Sequence, residues 1–300
     1  MNFPGEVSPY LKNAAAFTEA FTYGKILQAR ATVCTATHDL IVDLGFCKGI
    51  IPRNEGALGI EEGVTKDIAI ISKVNKAVCF KILSLNADES GNLHPILSRR
   101  MAQRECSDNY LSHLISGDIV EVKVTHLEPF GCFVDIGCGI ASLIPIDNIS
   151  VSRISHPSDR FYSGQIIKAV VRSTSDGRIT LSHKELLGTW EQNAALFSSG
   201  EAVAGIVRSV EDYGIFVELT PNLAGLAEYK SGVYAGQQAS VYIKSLLPEK
   251  MKVKLIIVDA FDASYQIEPP HYFIETGHID RFVYSPSTSQ KLIETVFENS

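Results

Sequence analysis

Two pairs of aromatic residues occupy matching places in the sequence: Phe130 with Phe133, and Tyr213 with Phe216. Each pair brackets a glycine and is followed by a valine and an acidic residue. Aromatic rings on a protein surface stack on unpaired bases, and each stacked base contributes about 1–3 kcal/mol. Basic side chains that could neutralise phosphates follow at Lys168, Arg178, Lys250 and Lys252. The combination predicts a site for single-stranded nucleic acid.

Strand periodicity indicates which of these side chains face outward, because successive side chains of a strand point to opposite faces. Val134 and Ile136 take the core side of one strand, which turns Phe133 outward beside Phe130 in the preceding turn. By the same rule, Lys168, Arg178 and Phe216 also face outward, and Lys250, Lys252 and Lys254 form one basic row on the last strand of the third copy. Two alternatives stay open: the aromatics could belong to the core, and the lysines could form only a solvated strand edge.

An internal repeat supplies the elements that would hold these residues. A glycine opens each copy, and an acidic residue follows 18 positions later in Gly117–Asp135 and in Gly200–Glu218. A fainter copy covers 19 positions in Gly24–Asp43. Short alternating strands separated by Gly and Asp turns are typical of small all-β barrels, and a helical segment precedes each copy. The repeat therefore predicts three tandem barrels with helical linkers.

The predicted boundaries are an N-terminal helix at 1–22, a degenerate first barrel at 23–104, a helical linker at 105–115, a second barrel at 116–183, a second linker at 184–198, a third barrel at 199–258 and an acidic C-terminal extension at 259–300. The extension has enough apolar residues to fold against a neighbour. We expect it to end in a helix from about Pro286, with Leu292, Ile293, Val296 and Phe297 on its apolar face.

Charge is distributed unevenly along the chain. The net charge is −7, but residues 259–300 contain two basic and seven acidic side chains, which leaves 25 basic and 27 acidic in the other 258 residues. A nearly neutral body is compatible with single-stranded nucleic acid, since stacking supplies part of the binding energy. The acidity is therefore no argument against such a ligand.

Several classes of protein are not expected from this sequence. No apolar run is long enough for a membrane-spanning helix, and the N-terminus lacks the pattern of a secretory signal. The six cysteines are scattered without metal-binding spacing, which fits a reducing cytosol, and we expect neither a metal nor another cofactor. Phosphate-loop, nucleophile-elbow and zinc-protease motifs do not occur, so we expect a cytoplasmic protein that is not an enzyme.

Three segments of the second barrel together resemble the S1 domain, the RNA-binding repeat of bacterial ribosomal protein S1 and of several RNA-processing proteins. The segments are Phe130–Ile136, Ile154–Ser158 leading to Gly164-Gln165, and Asp176–Ser182. The resemblance is closest over residues 116–189, clear over 199–258 and faint over 23–104.

The resemblance implies five-stranded oligonucleotide-binding (OB) barrels, with RNA crossing the face that bears the aromatic pair. It assigns the aromatic positions to the two pairs already named, and the basic position of the last strand to Arg178 and Lys252. The first barrel has His38 and Ile41 where the others have aromatics, which predicts a structural or docking unit. Glu228 replaces a histidine common in the family, close to the expected RNA path of the third barrel.

Two functions stay open at this point. The first is non-catalytic binding of single-stranded RNA, chiefly messenger RNA, with the ribosome or an RNA-processing protein as a further partner and no membrane. The alternative is a protein-interaction scaffold in a ribosomal or RNA-degradation complex, which the acidic extension, Glu228 and the plain first barrel favour. A hydrolase acting on RNA is a third and more distant class.

Overall fold

The computed structural model describes residues 8–175, 178–263 and 267–298. The first seven residues of the predicted N-terminal segment and the Asp176-Gly177 pair of the quoted motif lie outside this range. The described residues divide into two compact units. The first unit holds barrel one with the helices on either side of it, and the second holds barrels two and three with the C-terminal extension.

Barrel one is a closed sheet of five strands in the order β1-β2-β3-β5-β4. Its strands are β1 (Leu27–Cys34), β2 (Leu40–Asp43), β3 (Lys48–Ile51), β4 (Ala77–Ala87) and β5 (Leu93–Ser98), and a short helix α2 (Ile68–Ile71) lies between β3 and β4. The only parallel pair is β3 with β5, where Ile50 faces Ile96. Apolar residues alternate into the interior, as Leu40 and Val42 do on β2.

Two helices flank barrel one. Helix α1 (Ala14–Thr22) begins where the Asn13 side chain accepts a hydrogen bond from the Ala16 N–H, and it buries Phe17 and Ala20. Helix α3 (Arg99–Asn109) begins before the predicted linker at 105–115, because the Ser98 hydroxyl caps it by accepting from the Met101 N–H. The Arg99 side chain is buried and donates to the Gly56 carbonyl.

Barrels two and three have the same strand order as barrel one, so all three predicted barrels are confirmed as closed and five-stranded. Barrel two consists of β6 (Ile119–Glu128), β7 (Gly131–Asp135), β8 (Ala141–Pro145), β9 (Ile166–Ser173) and β10 (Thr180–Ser182). Barrel three consists of β11 (Ala202–Glu211), β12 (Gly214–Thr220), β13 (Leu223–Ala227), β14 (Gln238–Leu247) and β15 (Lys252–Phe261).

The linker between barrels two and three is helical in two short pieces. A 3-10 turn covers Lys184–Leu187, and helix α4 covers Trp190–Ala194. Gly188 separates them with a φ of 84°, a left-handed conformation that glycine adopts without strain. Trp190, the only tryptophan of the chain, is buried in an apolar cluster that joins barrel three to Val170 of barrel two.

The C-terminal extension folds onto barrels two and three. Its strands β16 (Arg281–Val283) and β17 (Glu294–Val296) form an antiparallel pair, and Phe282, Tyr284 and Phe297 are buried in the cluster around Trp190. The predicted helix from Pro286 is wrong for the described residues. From Ile293 to Phe297 every second side chain is at least half-buried, which is strand periodicity, and β-branched residues such as Thr295 favour an extended backbone.

Tyr272 of the extension joins a buried chain of hydrogen bonds. Its hydroxyl accepts from the Lys168 backbone N–H at 3.0 Å and lies 3.3 Å from Nε2 of His183, whose Nδ1 donates to the Ile149 carbonyl at 2.9 Å. Burial lowers the pKa of His183 to about 4, and the positive charge of Arg160 acts in the same direction. His183 is therefore a neutral structural histidine at pH 7.

This burial makes the second unit sensitive to acid. Between pH 6.5 and about 4 the unfolded chain protonates at His183 while the folded chain does not, so the free energy of unfolding falls as the pH decreases through that window. We expect a loss of about 2 kcal/mol between pH 7 and pH 4.5, measured by urea titration with Trp190 fluorescence at the two pH values. His183→Gln should lose much less over the same range. An equal loss in both proteins would contradict the assignment.

Candidate nucleic-acid interface

The aromatic pair of barrel two lies at the hairpin between β6 and β7. Phe130 stands in the turn with 56% of its surface exposed, and Phe133 follows on β7 with its side chain half-buried. Their ring centroids are 6.0 Å apart at an interplanar angle of 89°. Val134 and Ile136 are buried, as the alternation predicts. An edge-to-face pair of this kind leaves ring surface open for stacking.

Strand register places four outward side chains in one row across barrel two. His126 on β6 lies opposite Phe133 on β7, Phe133 lies opposite Leu143 on β8, and Leu143 lies beside Thr180 on β10. Sequence reasoning missed His126 because a bulge in β6 shifts the alternation there. Its Nε2 lies 2.7 Å from the Glu128 carboxylate, and the imidazole is exposed.

The two basic residues predicted for barrel two differ in their surroundings. Arg178 is exposed two positions before Thr180, next to the end of the row. Lys168 lies on β9, away from the row, and its Nζ is 2.7 Å from the Glu275 carboxylate and 5.9 Å from the centroid of the Tyr272 ring. The C-terminal extension therefore compensates the charge of Lys168.

Barrel three repeats the arrangement of barrel two. Tyr213 is 70% exposed at the hairpin, and its ring centroid lies 6.1 Å from that of Phe216 at an angle of 85°. The corresponding row is Ser209, Phe216, Leu226 and Lys254 on β11, β12, β13 and β15. The two rows are equivalent because both barrels have the same strand order, so that corresponding strands contribute corresponding residues to each row.

The basic residues of barrel three do not all lie on one strand. Lys250 belongs to a 3-10 turn and Met251 has a φ of 49°, so β15 begins only at Lys252. All of Lys250, Lys252 and Lys254 are exposed, but only Lys254 lies in the row with Phe216. Glu228 is exposed just after β13.

Barrel one has an aliphatic row where the other barrels have aromatic ones. Val33, Ile41, Ile50 and Ile96 lie side by side across β1, β2, β3 and β5. Val33 is 50% exposed and the others are half-buried. His38 occupies the hairpin turn, with Nδ1 3.3 Å from the Asp67 carboxylate. Aliphatic side chains offer no π-face for bases, so this row suits protein contact better than stacking.

A buried ionic cluster holds barrel two against barrel three. Arg160, in the loop between β8 and β9, places Nη2 2.5 Å from Oε2 of Glu218 on β12. Arg208 on β11 donates to both oxygens of Glu218 at 2.8 and 3.1 Å, and its Nη1 lies 3.3 Å from Oδ2 of Asp159. Burial acts to raise the pKa of Glu218, but the two guanidinium groups outweigh it and the pKa lies below its usual value.

Hydrogen bonds extend this contact. The Asn222 side chain accepts from the Val151 N–H at 3.0 Å and donates to the carbonyls of Lys184 and Gly188, each at 2.8 Å. The Ser152 N–H donates to the Pro221 carbonyl at 3.0 Å. Paired charges and satisfied amides of this kind fix one arrangement of the two barrels.

Three further features concern metal ligands, helix length and cavities. There, no group of three or more His, Cys, Asp or Glu side chains is arranged to hold a metal ion. No helix within residues 8–175, 178–263 and 267–298 is long and apolar enough to cross a membrane. A cavity of about 420 Å³ lies between the β8–β9 loop and the β16–β17 pair, lined by residues such as Arg153 and Glu294.

Comparisons with known proteins agree with the geometry. Residues 114–184 match the S1 RNA binding domain family. The small ribosomal subunit protein bS1 of Leuconostoc lactis is 32% identical over 62% of this chain and 43% of its own length. A bS1 homologue from Bacillus cereus is 32% identical over 79% of this chain and 61% of its own length. The chain thus spans about half of these relatives.

Among solved structures, a multidomain protein with nucleic acid binding domains from Streptococcus pneumoniae aligns with 79% of this chain and 74% of its own, at 13% identity and a TM-score of 0.25. The family match covers barrel two and its aromatic pair, while the ribosomal relatives extend beyond it. Residues 114–184 therefore match the S1 RNA binding domain, and the chain is similar over much of its length to the bacterial ribosomal protein bS1.

Proposed function

We propose that the protein binds single-stranded RNA, chiefly messenger RNA, through barrels two and three and without catalysis. The observation that carries this proposal is the presence of two aromatic pairs, Phe130 with Phe133 and Tyr213 with Phe216, at equivalent places on the two barrels. Each pair combines one exposed ring with one half-buried ring. Unpaired bases stack on such rings whatever their sequence, while basic side chains neutralise the phosphates.

The proposed contacts include the basic residues around the two rows. Arg178 would neutralise a phosphate on barrel two, and Lys250 and Lys252 would do so on barrel three, with Lys254 inside the row. Lys168 would contribute less, because Glu275 already pairs with its ammonium group. Two linked weak sites bind one strand with greater avidity than either alone.

The names of the relatives support a place in translation. Two of them are ribosomal proteins of the small subunit, and we extend this association to the present chain, with a cytoplasmic location. The aliphatic row of barrel one would serve protein contact in that setting, because it offers apolar surface and no aromatic pair.

Salt dependence tests the proposal directly. Binding of fluorescent single-stranded RNA should weaken steeply between about 50 and 200 mM salt, since each phosphate contact on a single strand contributes a slope of about −0.7 in a plot of log K against log salt. Arg178→Ala should make this slope shallower, whereas the matched variant Lys168→Ala should change it less. Absence of binding at low salt would refute the proposal.

A scaffold function is the second candidate, and the aliphatic row of barrel one favours it. In that case the barrels would bind a ribosomal or RNA-degradation protein and RNA affinity would be negligible. The salt titration separates the two functions, because the scaffold predicts no binding of RNA even at low salt.

A further inference from the structure

Barrel two reaches barrel three directly beside the aromatic pair of barrel three. Phe216 and Glu218 are successive outward residues of β12, with the buried Val217 between them. Successive outward residues of a strand lie about 7 Å apart. Glu218 is covered by barrel two, since Arg160 bonds to its carboxylate. The contact between the barrels therefore borders the row that contains Phe216.

A second contact places barrel two beside the same row on β11. Arg208 has its Nη1 3.3 Å from the Asp159 carboxylate of barrel two. The next residue, Ser209, pairs with Phe216 in the row. The turn of barrel two that contains Asp159 therefore lies along the edge of the proposed RNA surface of barrel three.

His156 stands at the other end of that turn. The Asp159 N–H donates to the His156 carbonyl at 3.0 Å. This hydrogen bond closes a four-residue turn, in which the first and last Cα atoms lie within about 7 Å of each other. Nδ1 of His156 accepts from the Ser158 N–H at 3.1 Å, so the neutral imidazole carries its proton on Nε2. Within the described residues, no hydrogen-bond partner is found for that Nε2, and the side chain is half-exposed.

The charges at this border do not oppose a phosphate chain. The carboxylates of Glu218 and Asp159 are matched by the guanidinium groups of Arg160 and Arg208. A border with matched charges and a partly exposed imidazole can accept RNA, whereas two unpaired carboxylates would repel it.

We infer that the Ser155–Asp159 turn of barrel two forms one wall of the RNA-binding surface of barrel three, with His156 donating a hydrogen bond from Nε2 to the bound RNA. This inference rests on the proposed function. Barrel three is then a composite site, and RNA bound on Tyr213 and Phe216 touches both barrels.

Double-mutant cycles test this wall. In a background that carries Phe130→Ala and Phe133→Ala, RNA binding depends on barrel three. In this background, His156→Ala should weaken RNA affinity about three- to tenfold, because one hydrogen bond is lost. With Tyr213→Ala and Phe216→Ala as background, the same substitution should change affinity less than twofold. Equal effects in both backgrounds, or no effect in either, would overturn the inference.

Two controls separate binding from structure. His156→Asn keeps a side-chain acceptor for the Ser158 N–H, but its amide nitrogen lies one bond nearer the backbone than Nε2 of the imidazole. The variant therefore lacks a donor at the place of Nε2 and should lose as much affinity as His156→Ala. Recovery of full affinity in His156→Asn would overturn the inference, because His156 would then act only by shaping its turn. His113→Ala removes an exposed histidine outside both barrels and should have no effect. If the unaltered chain binds no RNA at low salt, the proposed function itself fails.

Discussion

Replacing both Phe130 and Phe133 by alanine is expected to lower the affinity for single-stranded RNA by at least about 30-fold. The physical reason is the loss of two stacking rings, each contributing about 1–3 kcal/mol, with a tenfold change for each 1.4 kcal/mol. Fluorescence anisotropy of a labelled single-stranded RNA at low salt measures the change. The residual affinity would come from Tyr213 and Phe216 on barrel three.

The double variant should remain folded, because Phe130 is largely exposed and Phe133 is only half-buried. Tyr23→Ala is a matched control, since Tyr23 is an aromatic residue with 65% exposure outside the aromatic pairs. It should leave the affinity unchanged. If the double variant binds as tightly as the unaltered chain, the pair on barrel two has no part in RNA binding.

Glu218→Ala is expected to lower the free energy of unfolding of the second unit by about 3–5 kcal/mol, the range for breaking a buried ion pair. Removal of this carboxylate leaves the side chains of Arg160 and Arg208, each only 8% exposed, without the partner that they share. Urea unfolding followed by Trp190 fluorescence measures the effect, because this residue lies in the core that the barrels share.

Two further variants sharpen this second result. Glu218→Gln keeps an oxygen for the hydrogen bonds of Arg208 but loses the charge, and should be intermediate. Glu249→Ala removes an exposed glutamate from a turn of the same barrel and should cost less than about 0.5 kcal/mol. A loss for Glu218→Ala no larger than that for Glu249→Ala would show that the cluster does not hold the barrels together.

Local patterns in the sequence determined the barrels and the direction of the aromatic side chains. The period of two on β7 requires that Phe133 faces outward once Val134 is buried, and the glycine-to-acid spacing repeats the same strands along the chain. These features depend on residues that are neighbours along one strand, so no knowledge of distant contacts was needed. The same reasoning failed for His126, because a bulge interrupts the period there.

Contacts between residues far apart in the chain were decided only by the tertiary structure. Arg160 and Glu218 are 58 residues apart, and Lys168 and Glu275 are 107 apart, so no local pattern pairs them. Taken alone, each segment contains charged side chains that could equally have remained in solvent, and this holds also for the acidic residues of the extension. The buried cluster and the strand in place of a final helix arise because folding removes these groups from water. In the protein interior, charges need partners and apolar faces need a neighbour.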